Sequence, residues 1–342
     1  MRATPALHTS AAMQGFHAEF RSLDDYIRVI TDRIWEGRQI DTIHDYYSDP
    51  CGVITPVGTT TDVQSVIDGT KATLAQFPDR RLLAEDVIEA GDAQAGFLSS
   101  HRIISTMTHL GVGNFGKASG KKIHVRTVAD CVCKDNRIVH EWLVRDQGAI
   151  AVGVGSSPQE MAKVWLAARS KPILPQRLPA APIWWRNPMS DERLAQRYAI
   201  SMGQMLTGQA NDETLYDEAA CSLGPVNATH YGRLEIQGFY ASIARSVCAS
   251  SYEIESITFM PASSGLGRPP RVALRWRLKG KHSGEGRYSA DARNSLDILG
   301  ISHAEFVKIG KEWQVHREWV LIDDVAVWMQ VFDGTVAQNK GK

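Results

Sequence analysis

Apolar residues recur at helical spacing near the start of each half of the chain. Tyr26, Ile27, Ile30 and Ile34 lie three or four residues apart, and Ser22 precedes them as a capping residue. This pattern predicts an amphipathic helix. Further helices are predicted over 63–77, 190–206 and 234–247.

Strand patterns follow the helices in both halves. Residues 272–279 alternate between apolar and cationic side chains, which is typical of a half-buried strand. Helices that precede antiparallel-type strands predict an α+β fold, with helices on one side of a curved sheet.

The chain also repeats itself. The segment 140–146 matches 317–323, and both contain Glu-Trp-x-x-x-Asp. Thr-His-Leu-Gly at 108–111 matches Lys-His-Ser-Gly at 281–284, and a Cys-to-Pro-Val stretch from Cys51 recurs from Cys221. The matches are collinear, so they predict a tandem duplication.

A linker separates the copies. Ser157, Pro158 and Glu160 predict a helix start, and five prolines between 172 and 188 then forbid regular structure. We therefore expect a first domain over 20–154, a helix plus Pro-rich linker over 155–189, and a second domain over 190–334.

Composition narrows the class of protein. A length of 342 residues suits two domains, and 43% hydrophobic residues suit a globular protein. Lys+Arg and Asp+Glu both number 38, so the chain lacks the basic excess of proteins that bind nucleic acid or anionic membranes. The five cysteines are expected to be reduced thiols, and no apolar run is long enough for a membrane span or signal peptide. We expect a cytoplasmic protein.

These features together resemble a known family. A helical start, a middle strand that ends in x-His-x-Gly and a last strand with Glu-Trp-x-x-x-Asp resemble the SnoaL-like polyketide cyclases, within the nuclear-transport-factor-2-like superfamily. The resemblance covers about 20–154 and 190–334. It implies two tandem α+β cones, each a strongly bent mixed sheet wrapped around helices and enclosing one apolar pocket. It also implies a general base at Asp146 and Asp323, a histidine partner at His109 and His282, and no cofactor or metal.

Strand parity gives an independent expectation for these sites. Trp142, Val144 and Asp146 share one face of their strand, so an apolar wall would end in a carboxylate whose pKa is raised by burial. The alternative is that each Asp caps a turn or pairs with an arginine, and that each His is bonded to a backbone carbonyl. The substrate-binding candidates are Trp142, Trp319, Trp276, His101, Asp130, His303, Tyr46 and Tyr216.

We expect a cofactor-independent general acid–base enzyme that acts on a small apolar or carbonyl-bearing metabolite, as an isomerase, cyclase, dehydratase or hydratase. The alternative is a non-catalytic ligand-binding or assembly protein of the same fold. The two sites should be unequal, and the cleaner alternation of the second half favours it as the substrate pocket.

The halves should also pair within the chain as a pseudo-dimer, and a further homodimer stays open. Contact through the outer sheet faces would use Arg275, Arg277, Lys279, Glu141, Arg145 and Glu318.

Overall fold

The computed structural model describes residues 13–169 and 192–339, apart from 211, 264 and 266. The prolines of the predicted linker and the helix start at Ser190 lie outside the described residues. No helix in the described part of the chain is both long and apolar enough to cross a membrane.

The first half builds one six-stranded mixed sheet. Its strands are Tyr47–Thr55 (β1), Gly58–Thr60 (β2), Arg81–Asp92 (β3), Gly96–Thr108 (β4), Lys122–Lys134 (β5) and Arg137–Arg145 (β6). The strand order is β2-β1-β6-β5-β4-β3, in which only β1 and β6 run parallel. Its helices are Leu23–Thr31 (α1), Ile43–Tyr46 (α2), Val63–Gln76 (α3) and Gln147–Val154 (α4).

The second half repeats this topology. A helix, Pro158–Ala168 (α5), comes first, and Ser157 and Glu160 form its capping box. The other helices are Arg193–Leu206 (α6), Gly232–Ser246 (α7) and Asp324–Asn339 (α8). The strands are Tyr216–Leu223 (β7), Thr229–Tyr231 (β8), Val247–Met260 (β9), Arg271–His282 (β10), Ser295–Ile309 (β11) and Glu312–Ile322 (β12). Their order, β8-β7-β12-β11-β10-β9, is that of the first sheet, so each half is an α+β cone.

Helix α1 shows how the sequence pattern becomes a buried face. The Ser22 side chain accepts a hydrogen bond from the Asp25 backbone N–H and so caps the helix. The apolar side chains of Tyr26, Ile27 and Ile30 are buried between the helix and the sheet. The predicted helix therefore supplies one wall of the first cone.

The second cone is filled by large side chains. Trp276 is fully buried, and its Nε1 donates to Ser302 Oγ at 3.0 Å. Gly300 lies against this indole, and a Cβ at that position would stand 2.2 Å from the Trp276 ring. Glycine is therefore required there for the tryptophan to fit.

The two halves contact each other through the sheet faces opposite their helices. Apolar side chains of both halves form one buried cluster across this contact: Leu98, Val128, Val132, Trp142, Val144, Leu299, Ile301, Trp319 and Leu321. The guanidinium of Arg102 stacks on Trp319 and that of Arg275 stacks on Trp142, each 3.5 Å from the ring centroid. The two stacks use matching strands, so the contact has an approximate two-fold symmetry.

A buried polar chain also joins the halves. Arg102 Nη1 and Ser100 Oγ lie 3.0 and 2.8 Å from the two ring nitrogens of His303. Ser100 donates to Asp130 at 2.5 Å, and Arg275 donates to the other oxygen of Asp130 at 2.6 Å. Each charged side chain of this hydrogen-bonded network therefore has a partner within it.

The charges proposed for this contact are only partly correct. Arg275 lies there, but Glu141, Arg145 and Glu318 point to the opposite, helix-facing side of their strands. Arg277 and Lys279 pair within the second half, with Glu255 and Glu253 respectively, among other partners. The reason is that β6 and β12 are covered on both faces, so parity alone does not reveal which face is inner.

Candidate functional site

A cavity of about 290 Å³ lies inside the first cone, between α1, α3 and the sheet. Its apolar wall includes Ile27, Ile30, Trp35, Val53 and Leu143. This volume is at the lower limit of ligand pockets, which span roughly 300–1,000 Å³. The site therefore suits a small molecule.

Glu141 is one of two carboxyl residues that line this cavity, and Asp323 is the other. Glu141 is 6% exposed, and the Tyr47 hydroxyl donates to its Oε2 at 3.1 Å. Burial raises the pKa of Glu141 to about 7, against the lowering effects of the Tyr47 hydrogen bond and of Arg145. A carboxyl that titrates near neutrality can both accept and donate a proton at physiological pH.

The corresponding carboxyl of the second half, that of Glu318, accepts more hydrogen bonds from the protein. Glu318 Oε1 accepts hydrogen bonds from the hydroxyls of Tyr198 and Tyr216, and Oε2 accepts one from Ser222, all at 2.8 Å. Both carboxyl oxygens of Glu318 therefore already accept hydrogen bonds from protein hydroxyl groups. Glu141 has one such donor among the described residues, which leaves its carboxyl available to a ligand.

The sheet register shows how the second cone lost the corresponding space. In the first cone, one row of paired residues lines the cavity: Ile103, Thr127 and Arg145. In the second cone, the same row is Trp276, Gly300 and Ile322. A buried indole thus occupies the position that faces the cavity in the first cone, and this geometry disfavours the expectation that the second half holds the substrate pocket.

His101 is the one predicted histidine that lines the cavity. Its Nδ1 lies 3.0 Å from Ser99 Oγ, and burial lowers the pKa of His101 to about 4. The imidazole is therefore neutral at pH 7. The tautomer in which Nδ1 accepts a hydrogen bond from Ser99 has its proton on Nε2, and this N–H can donate a hydrogen bond to a ligand oxygen.

The polar end of the cavity contains side chains that lack partners. Arg80, Arg145, Gln147 and Thr127 lie there. Buried atoms of three of them have no hydrogen-bond partner in the part of the chain that the structure describes: Arg145 Nε, Gln147 Oε1 and Thr127 Oγ1. Unsatisfied buried polar atoms at a cavity wall are expected where a ligand or water completes the bonding.

The two predicted aspartates are helix caps. Asp146 accepts from Ala149 N at 2.9 Å, and also from Val226 N and Asn227 N at 2.8 and 3.2 Å. It does not line the cavity. Asp323 accepts from Val325 N and Ala326 N at the start of α8, although it also reaches the wall of the first cavity. The capping alternative describes the geometry of both, and burial raises the pKa of both carboxyls as the sequence predicted, that of Asp146 to about 7.

The histidines proposed as their partners lie away from the cavity. His109 Nδ1 is 3.2 Å from Ser119 Oγ, and its ring packs on Phe77. His282 contacts the backbone carbonyl oxygens of Ala292 and Tyr288 at 3.1 and 2.6 Å. His282 is therefore a buried, hydrogen-bonded core residue, as the alternative expectation held.

The other substrate-binding candidates are also placed elsewhere. Trp142, Trp319, Asp130 and His303 lie in the contact between the halves. Trp276 and Tyr216 belong to the second core. Tyr46 is buried, and its hydroxyl accepts from Arg33 Nη1 at 2.9 Å. Trp142 and Asp146 do share a face, but that face turns toward the other half.

Glu141 was missed although its signal is in the sequence. The glutamate that precedes the repeated tryptophan occurs in both copies, and its parity is opposite to that of Trp142. Because Trp142 was assigned to the pocket face of its strand, Glu141 was assigned to the opposite face, away from the pocket. Within the described residues, no three His, Cys, Asp or Glu side chains are grouped so as to hold a metal ion.

In each half, helices are enclosed by a mixed sheet, which is the α+β cone architecture expected from the resemblance. Residues 26–152 match the family model of the SnoaL-like polyketide cyclase, which confirms the resemblance expected from the sequence. No curated protein sequence matches the chain.

Two solved structures are similar to part of this chain. A SnoaL-like polyketide cyclase from Agrobacterium tumefaciens is 19% identical, with 40% of this chain and all of that chain covered and a TM-score of 0.33. IdmH, a proposed polyketide cyclase from Streptomyces antibioticus, is 20% identical, with 36% and 91% covered and a TM-score of 0.32.

Proposed function

We propose that the first cone is a cofactor-independent general acid–base enzyme for a small, largely apolar carbonyl compound, of the cyclase or isomerase type. Glu141 removes a proton from a carbon next to the carbonyl and returns it elsewhere. The neutral His101 donates a hydrogen bond to the oxygen on which negative charge develops. The observation that supports this proposal is the near-neutral pKa of Glu141 inside an apolar cavity.

The second cone then acts as a non-catalytic partner. Its carboxyl is saturated by hydroxyl donors, and Trp276 fills the space that corresponds to the cavity. We infer that the chain works as an intramolecular pseudo-dimer, in which one cone catalyses and the other supports it, in the cytoplasm.

Hydrogen exchange at carbon tests the proposal without knowledge of the natural substrate. 2-Tetralone fits the cavity in size and has acidic protons next to its carbonyl, so their loss in D2O can be followed by proton NMR. The Glu141→Gln variant should lower the catalysed rate by about 10²- to 10⁴-fold. The matched control is Glu318→Gln, which changes the same motif position in the second cone and should keep the rate.

Circular dichroism and thermal melting establish that each variant is folded. Wild-type exchange no faster than in buffer with an equal concentration of acetate, across 2-tetralone and similar ketones, would favour the binding-protein alternative. An unchanged rate in folded Glu141→Gln would remove the proposed base.

A further inference from the structure

Two arginines form the polar end of the cavity in the first cone. Arg80 and Arg145 line both the main cavity and a smaller adjoining one of about 70 Å³. Arg80 is 5% exposed, and Arg145 Nε is buried. Burial lowers the pKa of Arg80, and the charge of Arg145 lowers it further.

Neither arginine has a carboxylate partner among the described residues. Arg80 Nε and Nη2 reach only the neutral Ser105 Oγ, at 3.4 and 3.3 Å. Three acidic side chains lie near these arginines without forming an ion pair with them. Each of the three either accepts hydrogen bonds from other groups or has a pKa near neutrality. Glu36 bonds to Arg81 and to the Leu82 N–H, Asp323 caps α8, and Glu141 has the raised pKa described above.

Other buried arginines of this protein are paired. Arg102 bonds to Glu85 at 3.0 Å, Arg275 to Asp130 at 2.6 Å, and Arg271 to Asp86. Leaving a buried cation without an anion costs several kcal/mol. Among the buried arginines that the structure describes, the two that lack a carboxylate partner thus lie at the cavity, and the second cone has Ile322 where the first has Arg145.

We propose that the ligand of the first cone is a small apolar carboxylate whose anionic group binds between Arg80 and Arg145. This inference rests on the proposed function for the placement of the reacting carbon beside Glu141. The apolar body packs on Ile27, Ile30 and Trp35, and the carboxylate supplies the anion that the fold omits. Planar guanidinium groups bind carboxylates through paired hydrogen bonds, which gives direction as well as affinity.

Matched carboxylate and amide pairs test this inference by binding alone. The probes are phenylacetate with phenylacetamide and 3-phenylpropanoate with its amide, measured by isothermal titration calorimetry at pH 7.5. Each pair has nearly the same shape and differs in charge. We expect wild-type protein to prefer the carboxylate by about 10- to 100-fold, as for hydrogen bonds to a charged group.

Variants then show which side chains produce the preference for the carboxylate. Arg145→Met and Arg80→Met should each reduce carboxylate affinity about tenfold or more and leave amide affinity unchanged, and Arg145→Lys should recover part of the loss. The control is Arg81→Met, at a neighbouring side chain that is 66% exposed and paired with Glu36. Equal reduction of carboxylate affinity by the control would contradict the assignment.

The comparison of carboxylate and amide binding by the wild-type protein tests the inference even if a variant does not fold. No carboxylate preference in either pair, including no binding by any probe, overturns the inference. The result is separable from the proposed function, because binding preference does not need Glu141. Carboxylate preference without carbon-proton exchange would support this ligand class and refute the catalytic role, and the reverse result would refute the ligand class alone.

Discussion

Replacing Glu141 with glutamine should stabilise the protein, and the gain should grow with pH. The carboxyl has an ordinary pKa of 4.5 and a pKa of about 7 in the folded protein. The folded state therefore holds a proton that the unfolded state releases between these values. A raised carboxyl pKa means that stability is lost as pH rises from 4.5 to above 7.

The size of the effect follows from the two pKa values. Linkage gives a cost of about 0.8 kcal/mol at pH 5 and about 3.3 kcal/mol at pH 8 for keeping this carboxyl buried. The Glu141→Gln variant lacks a titrating group at this position. Its free energy of unfolding should therefore rise relative to wild type by about 2.5 kcal/mol between pH 5 and pH 8.

Urea unfolding followed by circular dichroism at several pH values measures this difference. The control is Asp62→Asn, because the pKa of Asp62 is lowered by hydrogen bonds from Ser65, so Asp62 is ionised in both states over this range. Its difference from wild type should not change between pH 5 and pH 8. A flat difference for Glu141→Gln would mean that the cavity does not raise this pKa, and the argument for Glu141 as base would fail.

Three further outcomes are expected. Asp146→Asn should lower stability by about 1–2 kcal/mol, because the amide keeps one acceptor oxygen and leaves the N–H groups of Val226 and Asn227 without theirs, with 2-tetralone exchange within a few fold of wild type; a loss of exchange equal to that of Glu141→Gln would assign the catalytic role to Asp146. Arg275→Met should cost about 3–5 kcal/mol in urea unfolding, since it leaves Asp130 buried without its cation. Adding Asp130→Asn should recover much of this, and a double variant no more stable than the single one would contradict the pairing. Exchange activity should survive dialysis against EDTA and charcoal treatment; recovery that requires an added metal ion or nucleotide would refute cofactor independence.

The sequence predicted the fold well because its signals are local or repeated. Ser22 and Ser157 cap helices as their positions indicated, and the repeated Glu-Trp-x-x-x-Asp lies on matching strands. On β10, inward Leu274, Trp276 and Leu278 alternate with charged residues, so one face was unambiguous. The spacing of apolar residues along a helix and the alternation of side chains along a strand can both be read directly from the sequence.

The site was harder to predict because it depends on what covers each strand. β6 carries apolar Trp142 and Val144 on one face and Leu143 on the other, since the second cone covers the outer face. A strand buried on both sides gives no alternation that identifies the pocket side. The location of the open cavity also depends on the fit of Trp276 against Gly300, two residues far apart in sequence.

The polar contact between the halves has a consequence for assembly. Arg275 faces Asp130, whereas Arg102 faces the neutral ring of His303 in the symmetry-related position. Two copies of the second cone would therefore bring each Arg275 to a histidine in place of Asp130, so that Arg275 would lose its carboxylate contact across the interface and keep the one with Glu255. Covalent linkage holds unlike cones together at an effective concentration in the millimolar range, whatever the protein concentration. The tandem chain thereby fixes a one-to-one stoichiometry that separate subunits would have to reach by competition.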